Sequence, residues 1–218
     1  MKTVLLLLNG CGHQDGSEVH ESVFAMAALE SRFTDVIVAC PDAPQSSVIN
    51  HLSSEELTET RNMLVEAARI ARGRIRPLKS IRSDDFDALV IPGGFGVAKN
   101  FCNFAQAGRQ MEVRSDIASL ILNAADAGKP LGMICIAPVL AGKLLGDRKP
   151  QLTLGKDPQM AAIIESWGGR HIPCHTTEAI TDSTQRLVTT PAYMDAKARM
   201  NDVRLGIERM ADSLINLT

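Results

Sequence analysis

The chain has 218 residues, enough for one large domain and too few for two well-cored ones. Lys and Arg number 23 against 25 Asp and Glu, a net charge of −2, so there is no basic surplus to neutralise a phosphate backbone and nucleic acid is set aside as a partner. Apolar residues at 45% and charged residues at 22% describe a globular rather than a disordered chain, and aromatics at 4% leave its core to Leu, Ile, Val, Ala and Met.

In chain order, Val4–Leu8 reads as a buried first strand ending at Asn9-Gly10. Its apolar run is shorter than the roughly 7–15 residues of a signal core, and nothing approaches the ~20 of a membrane span. A helix follows over Glu18–Glu30, then a strand over Val36–Ala39. The stretch from Pro41 to Lys79 breaks the rhythm and reads as a helical insertion, at about 41–79, with its helix over Glu59–Ala71. Asp87–Ile91 is the next strand, closed by Pro92-Gly93-Gly94, and Asp116–Ala127 repeats Ile117, Leu120, Ile121 and Ala124 at helical spacing. Leu131–Ile134 is a strand that enters a helix near Ala137, with Pro138 in the first turn, where a missing N–H costs nothing. Leu187–Thr189 is a last strand, and Val203, Ile207, Met210 and Leu214 mark a final amphipathic helix.

Strands alternating with helices predict a mainly parallel sheet with helices on both faces, a three-layer α/β sandwich, in one domain over 1–218. Cys11, Cys40, Cys102, Cys135 and Cys174 are an odd, irregularly spaced set, which points to reduced thiols and a cytoplasmic location.

Ligands of such sheets bind beyond the carboxyl ends of the strands. Cys135 sits there, between a strand and a helix start, so its side chain is forced outward and the helix N-terminus favours thiolate. The glycines of Pro92–Gly96 free backbone N–H groups to face an oxyanion, and Gly93, Gly94 and Ile136 are the candidate donors. Glu18 and Glu21, one turn apart at the opening of the first helix, are candidate proton carriers for Cys135. His171, Cys174 and His175 form a loose cluster without a second ligand pair at zinc spacing, so no metal or other cofactor is expected.

Taken together, Gly132–Pro138 and Pro92-Gly93-Gly94 resemble the cysteine elbow and glycine loop of the ThiJ/PfpI superfamily. Asp15–Glu21, Val48–Leu52, Thr58–Asn62, Pro92–Asn100 and Thr189–Met194 narrow the resemblance to its ElbB-like group, glyoxalase-like proteins with an amidotransferase-like domain and an isoprenoid-biosynthesis name. The resemblance implies a flavodoxin-like, class I glutamine amidotransferase-like fold and a homodimer. It also implies a cysteine nucleophile served by a first-helix glutamate, for which Glu21 fits better than Glu18. The implied activity is cofactor-free conversion of glyoxal, or another small dicarbonyl, to the 2-hydroxy acid. The chain departs from the superfamily where Ile136 replaces the protease histidine and where His175 precedes Thr176-Thr177-Glu178 rather than a His-x-Glu. Leu152–Lys156 also carries no histidine, unlike many glyoxalase III members. Two alternatives stay open: a non-catalytic protein that responds to oxidation of Cys135 or binds a partner, and an orphan glutaminase-like subunit.

Overall fold

A computed structural model describes residues 2–218. The strands are β1 (Thr3–Leu7), β2 (Asp35–Cys40), β3 (Val48–Ile49), β4 (Glu56–Leu57), β5 (Arg76–Pro77), β6 (Ala88–Ile91), β7 (Leu131–Ile134), β8 (Gln151–Leu152), β9 (Arg170–His171), β10 (Ile180–Asp182) and β11 (Leu187–Thr190). The helices are α1 (Val19–Glu30), α2 (Met63–Ile70), α3 (Phe104–Ala107), α4 (Ser115–Asp126), α5 (Pro138–Leu144), α6 (Pro158–Ser166) and α7 (Met200–Leu217). One seven-stranded sheet runs β10-β11-β7-β6-β1-β2-β5, parallel except for the antiparallel pair β10–β11.

Alternation along β1 divides the interior in two. Leu5 and Leu7 face one core, where Ile117 and Ile121 of α4 and Leu140 of α5 pack over Leu89, Ile91 and Met133. Val4, Leu6 and Leu8 face the other, covered by Ala25 and Leu29 of α1, Met63 of α2, and Val203, Ile207 and Met210 of α7. Both sides of β1 are therefore buried, which is why it reads as an unbroken apolar run. The arrangement is the expected flavodoxin-like, class I glutamine amidotransferase-like sandwich, with helices on both faces.

Between β2 and β6 the chain makes the β3–β4 pair, α2 and the edge strand β5. The expected helix over Glu59–Ala71 begins four residues later, at Met63. There Asn62 accepts the N–H groups of Leu64 and Val65, while Asn62 itself bridges back to Pro44. No helix among the described residues is long and apolar enough to cross a membrane.

Candidate active site

Three loops at the carboxyl ends of β1, β6 and β7 meet at one point, and one side chain ties the loop after β6 to those after β1 and β2. Asn100, in the short π-helical turn Val97–Phe101, donates from Nδ2 to the carbonyls of Asn9 (3.0 Å) and Asp15 (2.9 Å) and accepts from Ser46 N at Oδ1 (2.9 Å). Asn9 N donates to Ser17 Oγ and Glu18 N to Gly93 O, so the loop after β1 delivers α1 directly onto the glycine loop. Contact there is so close that a Cβ on Gly96 would fall 1.8 Å from Asn9 Oδ1.

Cys135 follows β7 with φ +61°, a left-handed conformation rare for a residue with a side chain, and its N–H donates to Thr190 O (2.9 Å). This is the strained elbow that the strand-to-helix position predicts. Glu21 lies opposite, fully buried on α1, and close enough to the Cys135 thiol for each group to shift the other's ionisation. Its Oε2 accepts from Gly93 N (2.8 Å) and its Oε1 from Tyr193 N (3.4 Å). Gly93 must be glycine: a Cβ there would stand 2.4 Å from that of Cys135 and 2.7 Å from Glu21 Oε2.

Of the three expected oxyanion donors, Gly94 and Ile136 do direct their N–H groups at Cys135 Sγ. Gly93 does not, because its N–H is committed to Glu21. Gly94 has φ +94°, which glycine alone adopts freely. Glu18 has a different task from Glu21. Its Oε2 accepts from Glu21 N (2.6 Å), capping α1, and its residue lines the cavity above the pair without bonding Cys135.

The expectation of a helix-stabilised thiolate is corrected by burial. Desolvation pushes Glu21 up to about 8, with the nearby Glu18 charge adding to it. Cys135 is pushed well above its ordinary value by desolvation and then by Glu21, and the N–H groups of Gly94 and Ile136 oppose this without overcoming it. Two buried acids in contact cannot both be charged, so the resting pair keeps its protons at neutral pH and loses the first near pH 8.

Cys135, with Glu21 buried behind it, lines a cavity of about 560 Å³ whose wall includes His13, Phe95, Ile136 and Tyr193. His20 Nδ1 and the Tyr193 hydroxyl are in hydrogen-bond contact at 2.9 Å beside it. His13, His20 and Tyr193 have no chemical signature in the sequence; they lie in or beside the Asp15–Glu21 and Thr189–Met194 segments, which only the resemblance picks out. The members of the His171, Cys174, His175 cluster go separate ways. His171 Nε2 accepts from Leu154 N, Cys174 Sγ donates to His175 O, and His175 lies against Lys156 Nζ. His175 lines a different cavity from Cys135 and does not serve it as a base.

No family model matches the chain. It is 36% identical over 225 aligned residues to the human glutamine amidotransferase-like class 1 domain-containing protein 3, mitochondrial, covering 99% of this chain and 83% of that one. The chain belongs to this amidotransferase-like family. The rat ES1 protein homolog, mitochondrial, is likewise 36% identical and is covered to 84%. The crystal structure of an isoprenoid biosynthesis protein with amidotransferase-like domain from Ehrlichia chaffeensis superposes with a TM-score of 0.93 at 36% identity, over 100% of this chain and 99% of that one. Glyoxalase III from Candida albicans shares the fold (TM-score 0.62, 14% identity, 99% and 97% covered). The expected cytoplasmic location is overturned by the relatives, which are named mitochondrial. Five free thiols do not by themselves single out the cytosol.

Proposed function

We propose that the protein is a glutathione-independent glyoxalase that converts a small dicarbonyl to its 2-hydroxy acid. The observation that carries the reading is a thiol on a strained elbow in contact with a buried carboxyl pushed up to about 8, at the wall of an open cavity. A carboxyl tuned close to the working pH serves as base in one step and acid in the next.

Glu21, once ionised, takes the Cys135 proton as sulfur attacks the aldehyde carbon, and the new oxyanion is protonated to a hemithioacetal. The N–H groups of Gly94 and Ile136, which face the sulfur, are placed to hold the developing negative charge. Glu21 then removes the proton from the former aldehyde carbon, giving an enediol, and returns a proton to the neighbouring carbon. The first carbon is oxidised as the second is reduced, so no external oxidant enters. The resulting thioester is hydrolysed by water, which releases the hydroxy acid and restores the thiol. The fold shared with glyoxalase III is consistent with this chemistry.

Glyoxal consumption and glycolate formation test the proposal in the wild type, Cys135→Ala and Glu21→Gln. A loss of at least about 100-fold is expected in each variant; equal rates in all three would overturn it. The glutaminase alternative is disfavoured, since the downstream histidine lies at another cavity. Oxidation sensing is disfavoured too, because the oxidisable thiolate is the form that burial suppresses.

A further inference from the structure

The cavity is larger than a two-carbon dicarbonyl requires. Its volume of about 560 Å³ falls within the range of roughly 300–1,000 Å³ of sites for much bulkier ligands. Away from the Cys135–Glu21 pair the wall is made by Phe95, Phe104, Ile136, Met160 and Met194. Phe95 stands 57% exposed at this wall, an aromatic side chain open to solvent. No lysine or arginine lines the space, and its two carboxylates, Glu18 and Asp157, are engaged as helix caps through Glu21 N (2.6 Å) and Gln159 N (2.8 Å). A phosphate, carboxylate or glutathione conjugate would meet two carboxylates with His13 as the one basic side chain of the wall, whereas an uncharged hydrocarbon substituent would exchange water for methionine and aromatic surface.

We infer that the cavity takes a neutral carbonyl compound with an apolar substituent, and, resting on the dicarbonyl reading above, that the substrate is an aryl- or medium-chain alkyl-substituted α-oxoaldehyde rather than glyoxal itself. The reacting carbons meet Cys135 and the substituent lies against Phe95 and Met160.

Two measurements test this. In the first, 2-oxooctanal and methylglyoxal are compared as substrates of the whole protein. The longer compound is expected to have a kcat/KM at least about tenfold higher, and Met160→Lys to reduce that ratio several-fold. In the second, which needs no turnover, acetophenone, acetone and benzoate are each tested for protection of Cys135 against iodoacetamide, read by peptide mass. Protection by acetophenone alone is expected. If acetophenone protects while no dicarbonyl is turned over, the glyoxalase reading falls and the ligand class of the cavity stands. If methylglyoxal is turned over as well as 2-oxooctanal and acetophenone gives no protection, or benzoate protects equally, the inference falls while the glyoxalase reading survives.

Discussion

Glu18 and Glu21 are the same amino acid one turn apart, and their surroundings give them different work. Glu18 ends the helix as a cap, whereas Glu21 is sealed beneath the glycine loop, with Gly93 N on one oxygen and Tyr193 N on the other. The Glu18 charge is one of the causes that hold Glu21 high, second to burial. Below about pH 8 Glu21 is protonated and unable to accept the thiol proton, so kcat/KM is expected to rise with pH and level off above about 8. Glu18→Gln keeps an oxygen for the cap but removes the charge, and the midpoint of that profile should move to lower pH; an unmoved midpoint would remove Glu18 from the tuning of the pair. At this scale the sequence was informative about chemistry and silent about space. Cys135 stood out by its place between a strand end and a helix start, whereas the preference for Glu21 over Glu18 came from the family resemblance, since first-turn acids commonly serve only the helix dipole. The role of Gly93 was not legible, because its requirement is the 2.4 Å left for a Cβ, which only the assembled loops define.

The long elements were legible because their period is set by burial: β1 is apolar on both faces and α4 and α7 present one apolar stripe each. β5 and β10 were not read from the sequence, since two or three residues at a sheet edge carry no usable periodicity. Nor was the π-helical turn Val97–Phe101, yet it supplies the knot of the site through Asn100. Asn100→Ala would leave the Asn9 carbonyl and the Ser46 N–H without their partner and the Asp15 carbonyl with Gln45 Nε2 alone. A destabilisation on the order of 2–3 kcal/mol is expected in urea unfolding, from buried groups left unpaired. Turnover should fall alongside, because the same side chain holds the loop that delivers α1 to Gly93.

For the whole molecule, one proton links function to stability. Glu21 has an ordinary value of 4.5 and is pushed up to about 8 in the fold. Between those values the folded protein retains a proton that the unfolded chain releases, so this stabilisation is complete below about pH 4.5 and is lost as pH rises through about 8. The span corresponds to an upper bound on the order of 4–5 kcal/mol. Glu21→Gln never acquires the buried charge. Denaturant unfolding should therefore find it close to wild type near pH 4.5 and more stable by a few kcal/mol near pH 9; equal stability across the range would place Glu21 outside the linkage. The sheet itself sets another bound. One margin ends in β5, where Pro77 has no amide hydrogen to offer, and the other in three-residue β10, whose Asp182 accepts from the backbone of Gln151, Thr184 and Gln185. Both margins are short and one lacks the Pro77 amide hydrogen, so each offers another chain only a few backbone groups to pair with. Joining of copies margin to margin is disfavoured in the native form, because so short a ladder holds few hydrogen bonds.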